Sequence, residues 1–285
     1  MSSSIIRMAQ ENISLPSVFT SNVPQMTFSD FEQREWRECP RILGHRGTAE
    51  AFTENGLMAF QYALENGVTG FETDFRMTAD GVVVVMHDAD IKRTTTGEGI
   101  VETMTLAELK RVRMKDSDEQ IPTAEELFGL FDGREDFYIE LEMKARYGVY
   151  YDSARMDAYL DQLHSAAQRH LGGGMVVFTC FDHAVLRRLK ERHPEVRIGL
   201  ICDALDQATL DAALALGCYS VAPTLEGTPQ TIVEQAKSAG LMVNLWFSDT
   251  PELWHEIHAM GADVSTCNRP VAVLNAIREA VAWSS

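Results

Sequence analysis

Short apolar runs recur along the chain between stretches of helical period. They are RILGH (41–45), GFETDF (70–75), VVVVMHD (82–88), FYIELEM (137–143), MVVFTC (175–180), VRIGLI (196–201), CYSVA (218–222), LMVNLWF (241–247) and ADVSTC (262–267). Their length and their β-branched and aromatic content fit strands, whereas HAVLRRLKERH, LDAALAL and PQTIVEQAKSAG space their apolar residues along one helix face. Such alternation predicts βαβ units and a parallel sheet. One pair breaks the rule, because only RMTADG separates GFETDF from VVVVMHD. A parallel crossover needs a dozen or more residues, so these two runs are expected to pair as an antiparallel hairpin. Asp80-Gly81 suits a two-residue turn, whose central positions take positive φ. With VVVVMHD set aside, eight strand and helix units remain, and they predict an α/β fold, a TIM (β/α)8 barrel.

Residues 88–136 are too long for a loop and are expected to form a small insertion after the second strand. Residues 1–26 are rich in Ser, Asn, Gln and Pro and read as a flexible arm; residues 27–285 read as one barrel domain. Within it TFSDFEQREWREC, from Thr27, has cap residues followed by helix formers and is expected to close the barrel floor.

Composition narrows the function. The 285 residues suit one barrel of about 250 residues with an insertion. A 45% hydrophobic, 24% charged chain is neither disordered nor fibrous. With 25 basic and 42 acidic residues the net charge is −17, which opposes binding to nucleic acid or anionic membranes. No apolar run approaches the roughly 18 residues of a membrane span, and Met1–Gln10 lacks the pattern of a secretion signal. A cytoplasmic location is the expectation. Cys39, Cys180, Cys202, Cys218 and Cys267 are odd in number, scattered and mostly set in apolar stretches, so reduced core thiols are expected rather than disulfides or a zinc site.

Strand alternation then sorts the polar residues. With Phe71, Thr73 and Phe75 facing the helices, Glu72 and Asp74 point into the barrel, about 7 Å apart at roughly 3.3 Å per residue. In FYIELEMK the outward set is Ile139, Leu141 and Met143, leaving Glu140, Glu142 and Lys144 inside. Carboxylates crowded at one barrel mouth repel unless a cation or protons neutralise them. All-oxygen ligation at these inward carboxylates favours a hard divalent cation, Mg²⁺ or Ca²⁺. A simple two-residue turn pairs residues whose numbers sum to 161, placing His87 opposite Asp74, while a bulge would shift that register by one. His45 ends the first strand at the same mouth. Two histidines beside a metal suit general acid/base chemistry, and Arg46 and Lys144 supply charge for phosphoryl oxygens. In LMVNLWF, Asn244 and Trp246 share inward parity, with Val243, Leu245 and Phe247 outside. Trp246 and Phe181 are candidate walls of a substrate pocket. Gly97-Glu98-Gly99 follows no barrel strand and reads as a turn of the insertion.

The string GHRGTAEAFTENGLMAFQYALENGVTGFETDFRMTADGVVVVMHDADIKRTTTGEG resembles the opening of the glycerophosphodiester phosphodiesterase family. Its marks are His45-Arg46-Gly47, Glu54-Asn55, Glu72-Thr73-Asp74, Thr78-Ala79-Asp80-Gly81 and His87-Asp88. The similarity continues through Thr94–Gly99, Ile121-Pro122-Thr123 and Glu142-Met143-Lys144, then weakens toward Trp246 and Asn268-Arg269-Pro270. The resemblance implies a metal-dependent TIM barrel that hydrolyses glycerophosphodiesters to sn-glycerol 3-phosphate and an alcohol, in lipid and glycerol metabolism. It assigns a divalent cation to Glu72, Asp74 and Glu142, the acid/base pair to His45 and His87, in either order, and phosphate contacts to Arg46 and Lys144. The expected partner is a small phosphodiester, with the head group and oligomeric state open. Thr53, Gly56, Trp246-Phe247-Ser248-Asp249 and Asn268 depart from the family pattern and bear on head-group and glycerol recognition. Two other readings are a phospholipase D-like transesterase that stops at a cyclic phosphate and a silent phosphodiester-binding barrel.

Overall fold

A computed structural model describes residues 41–282, so the expected arm at 1–26, the helical stretch from Thr27 and Cys39 lie outside the described residues. The strands are β1 (Arg41–His45), β2 (Gly70–Met77), β3 (Val83–Val85), β4 (Tyr138–Met143), β5 (Met175–Cys180), β6 (Arg197–Cys202), β7 (Ser220–Pro223), β8 (Met242–Trp246) and β9 (Val264–Cys267). Eight of them run parallel in the order β1-β9-β8-β7-β6-β5-β4-β2, and β1 pairs with β2 to close the ring. This is the expected TIM barrel. Its helices are α1 (Leu57–Glu65), α2 (Leu106–Leu109), α3 (Ala124–Phe128), α4 (Ser153–His170), α5 (His183–Arg192), α6 (Gln207–Leu216), α7 (Gln230–Ser238), α8 (Pro251–Ala259) and α9 (Pro270–Ala282). Several start on a side-chain cap just past a strand: Asp182 accepts from Ala184 N, Asp206 from Thr209 N and Thr250 from Leu253 N. Those caps satisfy backbone donors that the helix itself leaves free.

The outward parity set packs as expected. Phe71, Phe75, Ile139, Leu141 and Met143 join the large core between sheet and helices. Phe71 meets Phe131 edge-on at 5.5 Å between centroids, and Phe75 lies 5.3 Å from Phe128. Truncating one of these rings to Ala would cost about 3–5 kcal/mol. Because Ala124–Phe131 packs in that core, it completes the helical ring, and the inserted unit ends before it. The insertion has its own small core of Ile91, Val101, Leu109, Met114 and Ile121, seated on Val84 and Met86 of the hairpin arm.

The hairpin register differs from the two-residue expectation. Phe75 pairs with Val85, Arg76 with Val84 and Met77 with Val83, so paired numbers sum to 160. Gly81 N donates to Thr78 O at 3.0 Å and Thr78 N to Val82 O at 2.9 Å, which leaves three residues in the loop. Only Gly81 takes positive φ, at 84°, as in a three-residue hairpin with a glycine bulge. Asp80 is held instead by Thr78 Oγ1 and Leu106 N. The strand pairing stops at Val85, and Met86 N donates to Asp74 O at 3.0 Å, so His87 lies just beyond the ladder rather than opposite Asp74. Phe247 also departs from its outward parity: β8 ends at Trp246, alternation ends with it, and the Phe247 ring lies 4.8 Å from that of His45.

Inside the barrel, Leu43, Tyr138, Met175, Val177, Met242 and Val264 form an apolar plug. Glu140 sits directly against it, accepting from Tyr138 OH at 2.7 Å and Asn244 Nδ2 at 2.9 Å. Burial pushes its carboxyl up to about 7, against the pull of those two donors. Between the ordinary value of 4.5 and 7 only the unfolded chain ionises there, so this group's contribution to stability is full below pH 4.5 and is lost as the pH rises through 7. Glu140→Gln should therefore gain about 3 kcal/mol on the wild type between pH 4.5 and 8. Urea unfolding across that range measures it, and parallel pH profiles for the two proteins would refute the assignment.

Candidate active site

The mouth of the barrel is built first from backbone. Gly44 has no room for a side chain, because a Cβ there would collide with Gly47 O. The turn that presses on it carries Arg46 at φ 53° and Gly47 at φ 84°. Arg46 N donates to Glu72 O at 2.9 Å and Asn55 N donates to Arg46 O at 2.9 Å, so β2 and the Glu54-Asn55 loop hold the turn in place. A non-glycine residue in that region costs of order 1–3 kcal/mol. Here it swings the Arg46 side chain back over the mouth.

Glu72, Asp74 and Glu142 converge as expected: one oxygen from each lies within 4.8 Å of the others. Register explains this, since Asp74 and Glu142 are direct neighbours on β2 and β4 and His45 adjoins Glu72 across β1 and β2. Two cations face the cluster. Arg46 Nε is 3.2 Å from Asp74 Oδ2, and Lys144 Nζ is 2.6 Å from Glu142 Oε1 and 3.5 Å from Asp74 Oδ1. Asn55 Nδ2 donates to Asp74 Oδ2 at 2.9 Å. Burial would push the Asp74 carboxyl up, but Lys144 and Arg46 outweigh it and hold the group well below its ordinary range. At Glu72 the balance is reversed: burial, then repulsion from Asp74 and Glu142, outweighs Arg46 and Lys144 and raises its carboxyl well above the usual value. Glu142 is raised to about 7 by burial and by Asp74, despite Lys144. Lys144 stays charged because Asp74 and Glu142 overcome its burial.

Three buried polar atoms here make no hydrogen bond: Glu72 Oε1, Asp74 Oδ1 and Arg46 Nε. Buried polar groups are rarely left so in a stable interior. The close set of carboxylate oxygens from Glu72, Asp74 and Glu142 fits a hard divalent cation, and Arg46 beside it fits an anionic ligand.

The two histidines sit on opposite flanks. Asn268 Oδ1 lies 2.6 Å from His45 Nδ1 and can only accept, so Nδ1 carries the proton. Asn268 is itself oriented by Asp249, whose Oδ1 accepts from Asn268 N at 2.6 Å and whose Oδ2 accepts from its Nδ2 at 2.7 Å. The bare Nε2 of His45 faces Glu72 Oε2 at 3.7 Å. Burial, reinforced by Arg46, pushes the His45 ring down to about 4. His87 donates from Nδ1 to Asp88 Oδ1 at 2.6 Å, and its carbonyl is gripped by Arg76, Nε at 2.9 Å and Nη2 at 2.7 Å. Arg76 in turn pairs with Glu102 of the insertion at 2.7 Å. Burial lowers the His87 ring, while Asp74 and Asp88 oppose the shift.

A ladder of alternating charge joins the flanks. Arg46 Nη1 donates to Glu54 Oε1 at 2.7 Å, Arg93 donates to both Glu54 oxygens at 2.6 and 3.0 Å, and Arg93 Nε reaches Asp88 Oδ2 at 2.5 Å. Sequence reasoning singled out neither Arg93 nor Arg76, and it placed Asn268 with head-group recognition rather than on His45. The Glu54-Asn55 and His87-Asp88 pairs within the motif were the available signals. Phe181 is exposed beyond β5, beside Glu142 and Lys144. Trp246 stands on the other flank, its indole donating to Ala222 O at 2.9 Å and its ring edge-on to Phe247 at 4.9 Å.

The family model described as the glycerophosphoryl diester phosphodiesterase family matches residues 45–272. A glycerophosphodiester phosphodiesterase from Caldanaerobacter subterraneus subsp. tengcongensis is 30% identical over 244 residues, covering 84% of this chain and 98% of that protein. The glycerophosphodiester phosphodiesterase of Bacillus subtilis is 26% identical over 251 residues, 81% of this chain and 84% of its own. Among solved structures, an Oleispira antarctica phosphodiesterase in complex with the product sn-glycerol-3-phosphate superposes with a TM-score of 0.76 at 24% identity, covering 84% of this chain and 97% of that one.

The tautomer assignment can be checked without turnover. Asn268→Ala removes the acceptor of a buried N–H, which should destabilise the protein by about 1–3 kcal/mol. It should also free the His45 ring to populate both tautomers, read from the imidazole ¹⁵N shifts. An unchanged His45 spectrum would overturn the assignment.

Proposed function

The chain belongs to the glycerophosphoryl diester phosphodiesterase family, and on that premise we propose that it hydrolyses a glycerophosphodiester to sn-glycerol 3-phosphate and an alcohol. The observation that carries this reading is the convergence of Glu72, Asp74 and Glu142 under Arg46 and Lys144 and between two histidines.

Glu72, Asp74 and Glu142 hold a divalent cation, Mg²⁺ or Ca²⁺. When bound, that ion neutralises the carboxylates and polarises the oxygens of the substrate. Arg46 and Lys144 bind the phosphoryl oxygens, where fixed positive charge matters most as negative charge develops. His45, neutral and with Nδ1 occupied by Asn268, takes the proton of the glycerol 2-hydroxyl on Nε2 as that oxygen attacks phosphorus. His87 donates a proton to the departing alcohol as its P–O bond breaks. The Asp88 carboxylate on Nδ1 favours the imidazolium that this step needs, and the phosphate monoanion beside it adds to the effect. Water then opens the cyclic phosphate with the roles exchanged: His87 takes the proton from water, and His45 returns one to the glycerol oxygen. Trp246 and Phe181 wall the two sides of the substrate.

The test is release of glycerol 3-phosphate from a panel of glycerophosphodiesters with Mg²⁺, Ca²⁺ or EDTA, followed by phosphorus NMR. We expect cation-dependent release, lowered about 10²- to 10⁴-fold in His45→Ala or His87→Ala with folding intact. A cyclic phosphate as the final product would replace hydrolysis by transesterification. Ligand binding without turnover on any diester would leave a binding barrel.

The metal assignment predicts a separate, activity-free result. Glu72→Gln relieves repulsion among three buried carboxylates, so its melting temperature in EDTA should exceed that of the wild type, and the rise on adding Mg²⁺ or Ca²⁺ should vanish. A variant still stabilised by the cation as strongly as wild type would remove Glu72 from the ligand set.

A further inference from the structure

Five large hydrophobic side chains are exposed among the described residues, and three of them, Val149, Tyr150 and Phe181, line one cavity of about 280 Å³. They are 68%, 37% and 40% exposed. Isolated apolar surface residues need no explanation, but a cluster beside a reactive centre marks a binding surface. Glu142 and Lys144 line the same cavity, which therefore opens onto the site already described. Ala89 and Arg76 line it too, and Arg76 holds the His87 carbonyl, so the cavity lies on the His87 flank. His45, Phe247 and Trp246 lie on the other.

Most of the charges in the cavity are engaged; the exceptions among the described residues are Glu102 Oε2, which makes no hydrogen bond, Asp182, which has no cation partner, and Arg146. Glu102 is buried and tied to Arg76, Glu142 is tied to Lys144, and Asp182 caps α5 through Ala184 N at 2.8 Å. Arg146 is exposed and makes no ion pair among the described residues. The apolar walls favour a leaving group with apolar surface to bury, and Arg146 opposes a cationic one. Resting on the hydrolytic reading above, in which His87 protonates the departing alcohol, we propose that this cavity seats the leaving alcohol and selects an uncharged apolar one over choline or ethanolamine.

The experiment compares glycerophospho-methanol, -ethanol, -butanol, -choline and -ethanolamine as substrates of the full chain with Mg²⁺ or Ca²⁺. Burying one methylene is worth about 0.8 kcal/mol, a factor of three to four. With partial burial, kcat/KM for the butyl ester should exceed that for the methyl ester at least tenfold and should exceed that for the choline ester. In Tyr150→Ser and Phe181→Ser, both exposed positions, the butyl-to-methyl ratio should fall toward one. In Arg146→Glu the choline ester should gain on the butyl ester. A wild type that prefers choline or ethanolamine, or butyl-to-methyl ratios untouched by both serine variants, overturns the inference while leaving the hydrolytic reading standing. Hydrolysis of none of the five esters overturns both.

Discussion

Three carboxylates buried together at the top of a barrel are the constraint on which the rest of this structure depends. Like charges so close cannot all ionise in a dry interior without compensation. Compensation comes from two side chains placed by different means. Lys144 follows Glu142 by two residues at the end of β4, so strand geometry alone puts both at the mouth. Arg46 needs a left-handed turn, supported by Gly44, Gly47 and Asn55, to aim at Asp74. The compensation is uneven. Asp74 is held ionised from two sides, whereas Glu72 and Glu142 are left with raised carboxyls. That imbalance leaves a place for added positive charge at one point.

Around this centre the histidines receive different support. His45 has a neutral amide on Nδ1 and a bare Nε2 toward the carboxylates. His87 has a carboxylate on Nδ1 and a clamped backbone carbonyl. Its support comes largely from the inserted unit: Arg93 fixes Asp88, and Glu102 fixes Arg76. Because His87 lies beyond the end of the β2–β3 pairing, it has no ladder partner of its own, and the insertion core on Val84 and Met86 takes over that task.

Much of this was legible in the chain. All nine strands were marked by short apolar runs, since a strand buried on both faces must be apolar outward and tightly chosen inward. Parity alone put Glu72, Asp74, Glu142 and Lys144 on one face. It failed where regular alternation stops. The hairpin loop holds three residues because Asp80 is engaged by Thr78 and Leu106 and only Gly81 takes positive φ. Phe247 escapes its outward parity because β8 ends one residue earlier. Asp249 and Asn268, two separate departures from the family pattern, meet as one contact pair that orients His45.

The sequence by itself determined the barrel, the hairpin, the carboxylate set and the chemistry those residue types can perform, because periodicity and residue type are local properties of the chain. Only the tertiary structure decided which tautomer His45 holds, how His87 is anchored and that Val149, Tyr150 and Phe181 share a cavity with Glu142. Those facts depend on contacts between residues up to 223 positions apart, such as His45 and Asn268. Such contacts exist only once the barrel closes and side chains from separate loops meet at its rim.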